Sequence, residues 1–600
     1  MSMDYSLSLQ SLRSRYQCGA LTPEQMIRDV FDSIGKDEHH CWITRLDEKQ
    51  LAKYTDALRE KGPAALPLYG IPFAIKDNID LAGVPTTAAC PEYTYVPEHS
   101  AYVVQRLLDA GAIPIGKTNM DQFATGLVGT RTPHGATTNP FNNEYIAGGS
   151  SSGSAVAVSH GLVSFALGTD TAGSGRVPAA FNNIIGMKPT RGLLSTEGVV
   201  PACRTLDCVS IFALGMDDLQ TIYSITRDFN KNDPWAVISK NEKKTANRQF
   251  KFGIPRPSDL NFFGNEDYER LYREAIIKCE QMGGERIEID YQPFAVAAKL
   301  LYEGPWLAER YSVIKDLIKS KSHAIHPIIK SVIEPAADIG AADAFEKIYE
   351  LRKIKHLTDR IINELDFLLL PTTGTIYRLD EVIQNPMQLN SNLGYYTNFM
   401  NLLDYSGIAL PAGFSADGLP FGITMVADSF HDQLLMDYGK KYMLDYEYNI
   451  GATNFRTVSK EGELIHNPVD ENFIKVVVCG AHMSGMALNS QLTERDAQLV
   501  SKTRTANKYR LFALDGAPPL RPGLMFDDNQ GSYIEVEVWA LPKQHLADFV
   551  ALVPPPLGFG RVELENGNNE FGFICEPRGF LNAKEITHLG SWRAYCNQKK

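Results

Sequence analysis

The sequence predicts an α/β protein in which pieces of parallel sheet are joined by helices, followed by a smaller β-rich α+β domain. Three observations carry this expectation. Strand-like and helix-like apolar patterns alternate through the first 450 residues. The texture turns polar and irregular after residue 455. Beyond that stretch the apolar pattern changes to short strands, with Tyr533-Ile534-Glu535-Val536-Glu537-Val538-Trp539 alternating with period two and so predicted half-buried.

The elements follow in order. Phe73-Ala74-Ile75 reads as a short strand ending at Lys76, Val103 to Ala110 as a helix, and Ala112-Ile113-Pro114-Ile115 as the next strand. Ser154 to His160 suits a helix, and Val163 to Gly168 a strand. Phe252-Gly253-Ile254, a helix carrying Tyr268, Leu271, Ala275, Cys279 and Met282, and Ile287-Glu288-Ile289 form a strand–helix–strand unit. Phe367 to Pro371 is one more strand; 240–248 reads as a solvated loop. In the C-terminal part the strands are Ile474 to Cys479, Tyr509 to Leu514, and a pair, Arg561 to Leu564 and Phe571 to Cys575, flanking the hairpin signal Asn566-Gly567. The domain reading is therefore 1–455, a linker at 456–472, and 473–600.

Composition narrows the function. A chain of 600 residues exceeds one core, and 44% hydrophobic with 22% charged residues describes an ordinary globular protein. The net charge of −12 argues against a nucleic-acid partner. The first residues lack signal-peptide blocks, and no apolar run approaches the roughly 20 residues that cross a bilayer. Nine cysteines without a Cys-x-x-Cys pair read as buried thiols in a reducing, cytoplasmic compartment, not as a disulfide scaffold or zinc site.

Two turns stand out: Gly148-Gly149-Ser150-Ser151-Ser152-Gly153-Ser154 and Thr169-Asp170-Thr171-Ala172-Gly173-Ser174. Small hydroxyl residues in glycine-permitted turns leave their oxygen reachable and surround it with backbone N–H donors. A flexible linker fits poorly between the flanking apolar segments, and a Walker phosphate loop would need Lys-Ser or Lys-Thr after its last glycine. A nucleophile turn remains. Upstream, Lys76 sits in an apolar strand, where burial removes roughly 3–4 kcal/mol from its charged form and brings an amine of pKa about 10.4 toward 7–8. Strand alternation turns the neighbouring Asp77 away. These are the parts of a serine hydrolase with a lysine base. Backbone N–H groups of Thr171, Ala172, Gly173 and Ser174 are the expected oxyanion donors. Asp170 and Arg176 are expected to brace the turn.

Both turns, with Gly70 to Asp77 and Asn119 to Phe123, resemble the amidase signature family across residues 65 to 430. The resemblance implies its mixed-sheet fold with helices covering the core. It also implies Ser174 as nucleophile, Ser150 (on a cis peptide) as bridging serine and Lys76 as base. Ala172 and Gly175 depart from the general pattern toward the allophanate hydrolase subfamily, which Val199 to Ser210, Cys479 to Gly485 and Leu488 to Leu492 also resemble. The C-terminal part then has a γ-glutamylcyclotransferase-like fold.

The resemblance implies hydrolysis of the terminal amide of allophanate (urea-1-carboxylate) to ammonia and N-carboxycarbamate, which decays to carbon dioxide and more ammonia. Such an enzyme needs neither metal nor organic cofactor, works after urea carboxylase in urea breakdown, and is a homodimer. Pro305 is expected to start a helix that carries Arg310. Tyr302 and Arg310 match the subfamily's hold on the substrate carboxylate, and His482 is the candidate for the second decay. A broad amidase, or an enzyme like the amidase component of a tRNA-linked amidotransferase, is the nearer alternative, and a binding protein on an amidase scaffold the farther one.

Overall fold

Eleven strands form one mixed sheet in the first part of this computed structural model: β1 (Trp42–Arg45), β2 (Pro72–Lys76), β3 (Ile113–Thr118), β4 (Phe165–Asp170), β5 (Ile185–Lys188), β6 (Cys208–Ala213), β7 (Phe250–Pro255), β8 (Gly284–Ile289), β9 (Phe367–Pro371), β10 (Tyr405–Phe414) and β11 (Pro420–Asp428). Their spatial order is β1-β3-β2-β4-β6-β5-β10-β11-β9-β7-β8. The structure describes residues 5–239, 246–247, 249–444, 446–456, 473–516, 518–565 and 568–598. The expected 456–472 linker beyond Arg456, the Asn566-Gly567 turn, residues 1–4 and most of the 240–248 loop lie outside them. The chain divides into two units, Met1–Thr457 and Val458–Lys600.

Parallel pieces occupy both halves of the sheet: β3, β2 and β4 run together, as do β9, β7 and β8. Between them β4, β6, β5, β10, β11 and β9 pair antiparallel. Strands β2, β3 and β4 are buried at every position, which is why their sequences read as unbroken apolar runs. The helix Tyr102–Asp109 precedes β3, and Glu266–Gln281 joins β7 to β8. Ser152–Ser159, eight residues all buried, opens straight from the first serine turn. That helix has apolar or small residues on every side because other elements enclose it entirely.

The second unit has β12 (Phe473–Val478), β13 (Gln498–Arg504), β14 (Tyr509–Ala513), β15 (Pro522–Phe526), β16 (Glu535–Pro542), β17 (Leu557–Glu563), β18 (Asn569–Cys575) and β19 (Lys584–Glu585). A five-stranded sheet runs β13-β16-β12-β18-β17 and a three-stranded one β15-β14-β19. The hairpin strands β17 and β18 pair antiparallel. Strand β16 departs from its sequence pattern: Val536 to Leu541 are all buried. The alternating glutamates mislead because Glu537, 0% exposed, takes its hydrogen bonds from Ser484, Trp539 and Arg593 instead of from water.

Candidate active site

Lys76 ends β2 and Thr169 lies near the end of the neighbouring β4. The parallel pairing of Ile75 with Leu167 sets their level. The Lys76 side chain is wholly buried, and its Nζ lies 2.8 Å from Ser150 Oγ and 2.7 Å from Thr169 Oγ1. Burial brings its pKa down to about 7, lowered further by Arg310, against the opposing pull of Asp121, Asp207 and Asp170. Asp77 points elsewhere: it takes hydrogen bonds from Thr87 and the Ala89 N–H and faces Lys117 at 3.6 Å.

The Gly149–Ser150 peptide is cis. Asp121 builds the pocket around it. Its Oδ2 accepts the N–H groups of Val128 and Gly129, its Oδ1 that of Arg131, and its own N–H donates to Ser150 O at 3.1 Å. A Cβ on Gly149 would lie 2.2 Å from Asp121 Oδ2, so only glycine fits there. Ser151 Oγ donates to Thr169 O at 3.1 Å, locking the first serine turn to β4 and hence to the second.

Ser174 is 2% exposed, one residue past Gly173, whose φ of 140° suits glycine. The brace is a buried pair: Arg176 Nε and Nη2 reach Asp170 Oδ2 and Oδ1 at 2.9 and 3.0 Å, while Asp170 also accepts the N–H groups of Gly173 and Gly175. The arginine holds the Asp170 carboxyl below its usual range, despite burial. Of the four N–H groups expected to meet an oxyanion, that of Gly173 donates to Asp170 Oδ1 at 2.9 Å. Lys76 and Ser150 are joined directly. No hydrogen bond joins the Ser150 and Ser174 hydroxyls among the described residues.

Pro305 caps the helix Trp306–Ser320, on which Arg310 is 2% exposed. Its Nη1 donates to Thr125 Oγ1 at 3.0 Å, while Nε and Nη2 are buried with no hydrogen-bond partner among the described residues. The Tyr302 ring lies 5.8 Å from the guanidinium carbon. A buried guanidinium with two donors unengaged by the described residues can accept a carboxylate. Sequence reasoning missed Thr169, Asp121 and Asp207. Asp207 accepts from Thr171 Oγ1 and from the N–H groups of Ala202 and Cys203, and burial raises its pKa to about 6. All three stand inside the family-like motifs, yet nothing in one sequence says which loops meet.

In the second unit, a cavity is lined by Cys479, Gly480, His482, Gln491, Arg521 and Phe573. His482 Nε2 lies 2.9 Å from Gln491 Oε1, its ring stacks on Phe573 at 5.0 Å, and burial lowers its pKa.

A family model described as Amidase matches residues 26–436, and one described as Allophanate hydrolase C-terminal domain matches 474–597. The chain belongs to the amidase family. Its full-length resemblance is to the allophanate hydrolase branch of that family. A solved structure of Kluyveromyces lactis allophanate hydrolase is 38% identical, with 99% of each chain covered and a TM-score of 0.74. Urea amidolyase of Lachancea kluyveri is 39% identical over 96% of this chain and 33% of its own length. That of Saccharomyces cerevisiae is 41% identical over 94% and 31%. The chain thus spans about a third of the length of these curated relatives.

Proposed function

We propose that the first unit hydrolyses the terminal amide of allophanate through an acyl enzyme on Ser174. The observation that carries this reading is a fully buried amine, pKa about 7, hydrogen-bonded to Ser150 and close enough to the half-free Arg310 to be lowered by it. Ser174 Oγ attacks the carbonyl carbon as its proton passes to Ser150, whose own proton passes to neutral Lys76. The oxyanion is met by the N–H groups of Thr171, Ala172 and Ser174, that of Gly173 being held by Asp170, each worth about 2.7–4 kcal/mol. The C–N bond then breaks, protonated Lys76 returns its proton through Ser150 to the leaving nitrogen, and ammonia departs. Water enters by the same relay and frees N-carboxycarbamate. Arg310 and Tyr302 hold the carboxylate, which separates this substrate from simple amides.

In the second unit, His482 is the candidate for breakdown of N-carboxycarbamate, supported by its ordered place in the cavity. A urea carboxylase, on the same or another polypeptide, supplies the allophanate. Nine free thiols fit a reducing, cytoplasmic setting, and a homodimer is the expected assembly.

The test compares ammonia release from allophanate and from acetamide by the full chain. Strong preference for allophanate, lost with Ser174→Ala, supports the reading. Equal rates on both would favour a broad amidase. A His482→Asn chain that releases the first ammonia at the parent rate but lets N-carboxycarbamate accumulate places the second step in the C-terminal cavity.

A further inference from the structure

Two arginines share Thr125. Arg310 Nη1 donates to its hydroxyl at 3.0 Å, and Arg131 Nη1 donates to its carbonyl at 3.1 Å. Arg131 is 3% exposed, and its Nη2 donates to Pro386 O at 2.9 Å, so one guanidinium clamps two carbonyls from distant parts of the chain. Gly126 makes room for it: a Cβ there would lie 2.7 Å from Asp121 Oδ2 and 3.2 Å from Arg131 Cδ. Asp121 closes this 121–131 loop by taking the N–H groups of Val128, Gly129 and Arg131. Its own N–H donates to Ser150 O, so the loop that carries Thr125 is also tied to the first serine turn.

The charges separate the roles of the two arginines. Neither takes part in an ion pair among the described residues, where the fully buried pairs are Lys117 with Asp77 and Arg176 with Asp170. Burial lowers the Arg131 pKa against the pull of Asp121 and Tyr302, and Arg310 lowers it further. Two like charges held out of water on one threonine are costly unless an anion meets them. Arg131 has two of its three nitrogens committed to carbonyls, whereas Arg310 has Nε and Nη2 unengaged by the described residues. Arg310 is therefore the one equipped to meet a carboxylate with two donors, and Arg131 the one equipped to hold the backbone beneath it. The planar fork of a guanidinium suits a double clamp that the single ammonium of lysine fits less well.

We propose that Arg131 is a positioning residue for substrate specificity: by holding the Thr125 and Pro386 carbonyls it sets the Thr125 hydroxyl, which aims the two unengaged donors of Arg310 at the carboxylate of the substrate. This rests on the reading of the first unit as an allophanate hydrolase. Arg131 acts through Thr125 and Arg310 and not on the substrate itself. The carboxylate is held alike before and during the reaction, so loss of Arg131 raises KM and leaves kcat nearly unchanged.

Binding and turnover by the full chain are read separately. Allophanate titrated calorimetrically into the Ser174→Ala chain is expected to bind at least about tenfold more weakly when Arg131→Gln is added, with Arg131→Lys in between. Thr125→Val keeps the carbonyl for Arg131 and removes the hydroxyl for Arg310, and is expected to weaken binding similarly. Arg131→Gln and Thr125→Val together are expected to add no more than about twofold to the larger single effect, because both act through Arg310. With Ser174 restored, each change is expected to raise KM by the same factor at pH 9, where Lys76 is largely neutral, and to alter kcat by less than about threefold. A loss of kcat with binding intact reduces Arg131 to support of the fold and overturns the proposal, as do effects of the two changes that multiply. If the Arg131→Gln chain fails to fold, Arg131→Lys and Thr125→Val decide, and unchanged binding in both overturns it. A chain that binds allophanate through Arg131 without hydrolysing it counts against the functional reading alone. A Ser174→Ala chain that binds no allophanate counts against both.

Discussion

The Thr171 hydroxyl donates to the buried carboxylate of Asp207, which also takes the N–H groups of Ala202 and Cys203. One side chain thereby fixes the start of the 171–174 turn to the loop before β6. Its charge is felt by Arg310 on one side and Lys76 on the other. Removing that charge is a direct way to ask how far the turn and the base depend on each other.

Asp207→Asn keeps one acceptor for Thr171 but loses the charge and the bond from Ala202. Turnover of allophanate is expected to fall about tenfold or more, with little change in KM, since the turn's N–H groups act on the transition state. Asp207 raises the pKa of Lys76. The acid limb of the rate profile is therefore expected to move to lower pH in this variant. Steady-state kinetics from pH 5 to 9 read both effects, and a limb that stays in place would contradict the coupling.

Only neutral Lys76 accepts a proton, and its pKa is about 7. In the parent, kcat/KM is expected to rise through pH 7 and level off above it. Stability carries the opposite sign from an ordinary salt bridge. Because the folded pKa lies below the unfolded one, burying this lysine costs stability in full below pH 7, and the cost fades as pH rises toward 10. An inactive Lys76→Met chain is thus expected to melt higher than the parent at pH 6, by a margin that shrinks by pH 9.

Arg310→Gln is expected to cost about 2–5 kcal/mol of transition-state binding for allophanate, as for loss of a buried charged hydrogen-bond partner. Rates on an amide without a carboxylate are expected to fall near pH 7, because Arg310 also lowers the Lys76 pKa, but to change little at pH 9, where Lys76 is largely neutral. Parallel kcat/KM measurements on allophanate and propionamide give the comparison. Equal losses on both at pH 9 would move Arg310 from specificity to support of the fold.

The Asp170–Arg176 pair predicts a stability effect. Arg176→Met leaves a buried carboxylate without its counter-ion, and about 3–5 kcal/mol of stability is expected to go with it. The double change Asp170→Asn, Arg176→Met is expected to recover part of that loss. Urea titration of the three chains decides it. If the single and double variants unfold together, the pair does not brace the turn.

Much of the fold was legible. The first-unit strands read from the sequence agree with β2, β3, β4, β7, β8 and β9 to within three residues at each end; β2, β3, β4 and β9 are buried at every position, which leaves little freedom in their sequences. The long helical stretch between Gln292 and Ile362 is legible in the sequence only at Pro305: its buried stripes, Trp306-Arg310-Ile314-Ile318 and Ile354-Thr358-Ile362, each include a polar residue that breaks the apolar pattern. Strand β16 misled for a different reason: Glu537 looks like a solvent-facing residue until Ser484, Trp539 and Arg593 are seen around it.

Residue order alone supplied the chemical parts: a lysine among apolar neighbours, two serine turns that only glycine permits, and an opposite-charge pair six residues apart. It took the assembled fold to show that Lys76 meets Ser150, that Thr169 shares the lysine, that Asp170 takes the N–H of Gly173, and that two donors of Arg310 find no hydrogen-bond partner among the described residues. Local patterns set what a residue prefers, whereas burial and hydrogen bonding across distant loops set its charge state and its partner.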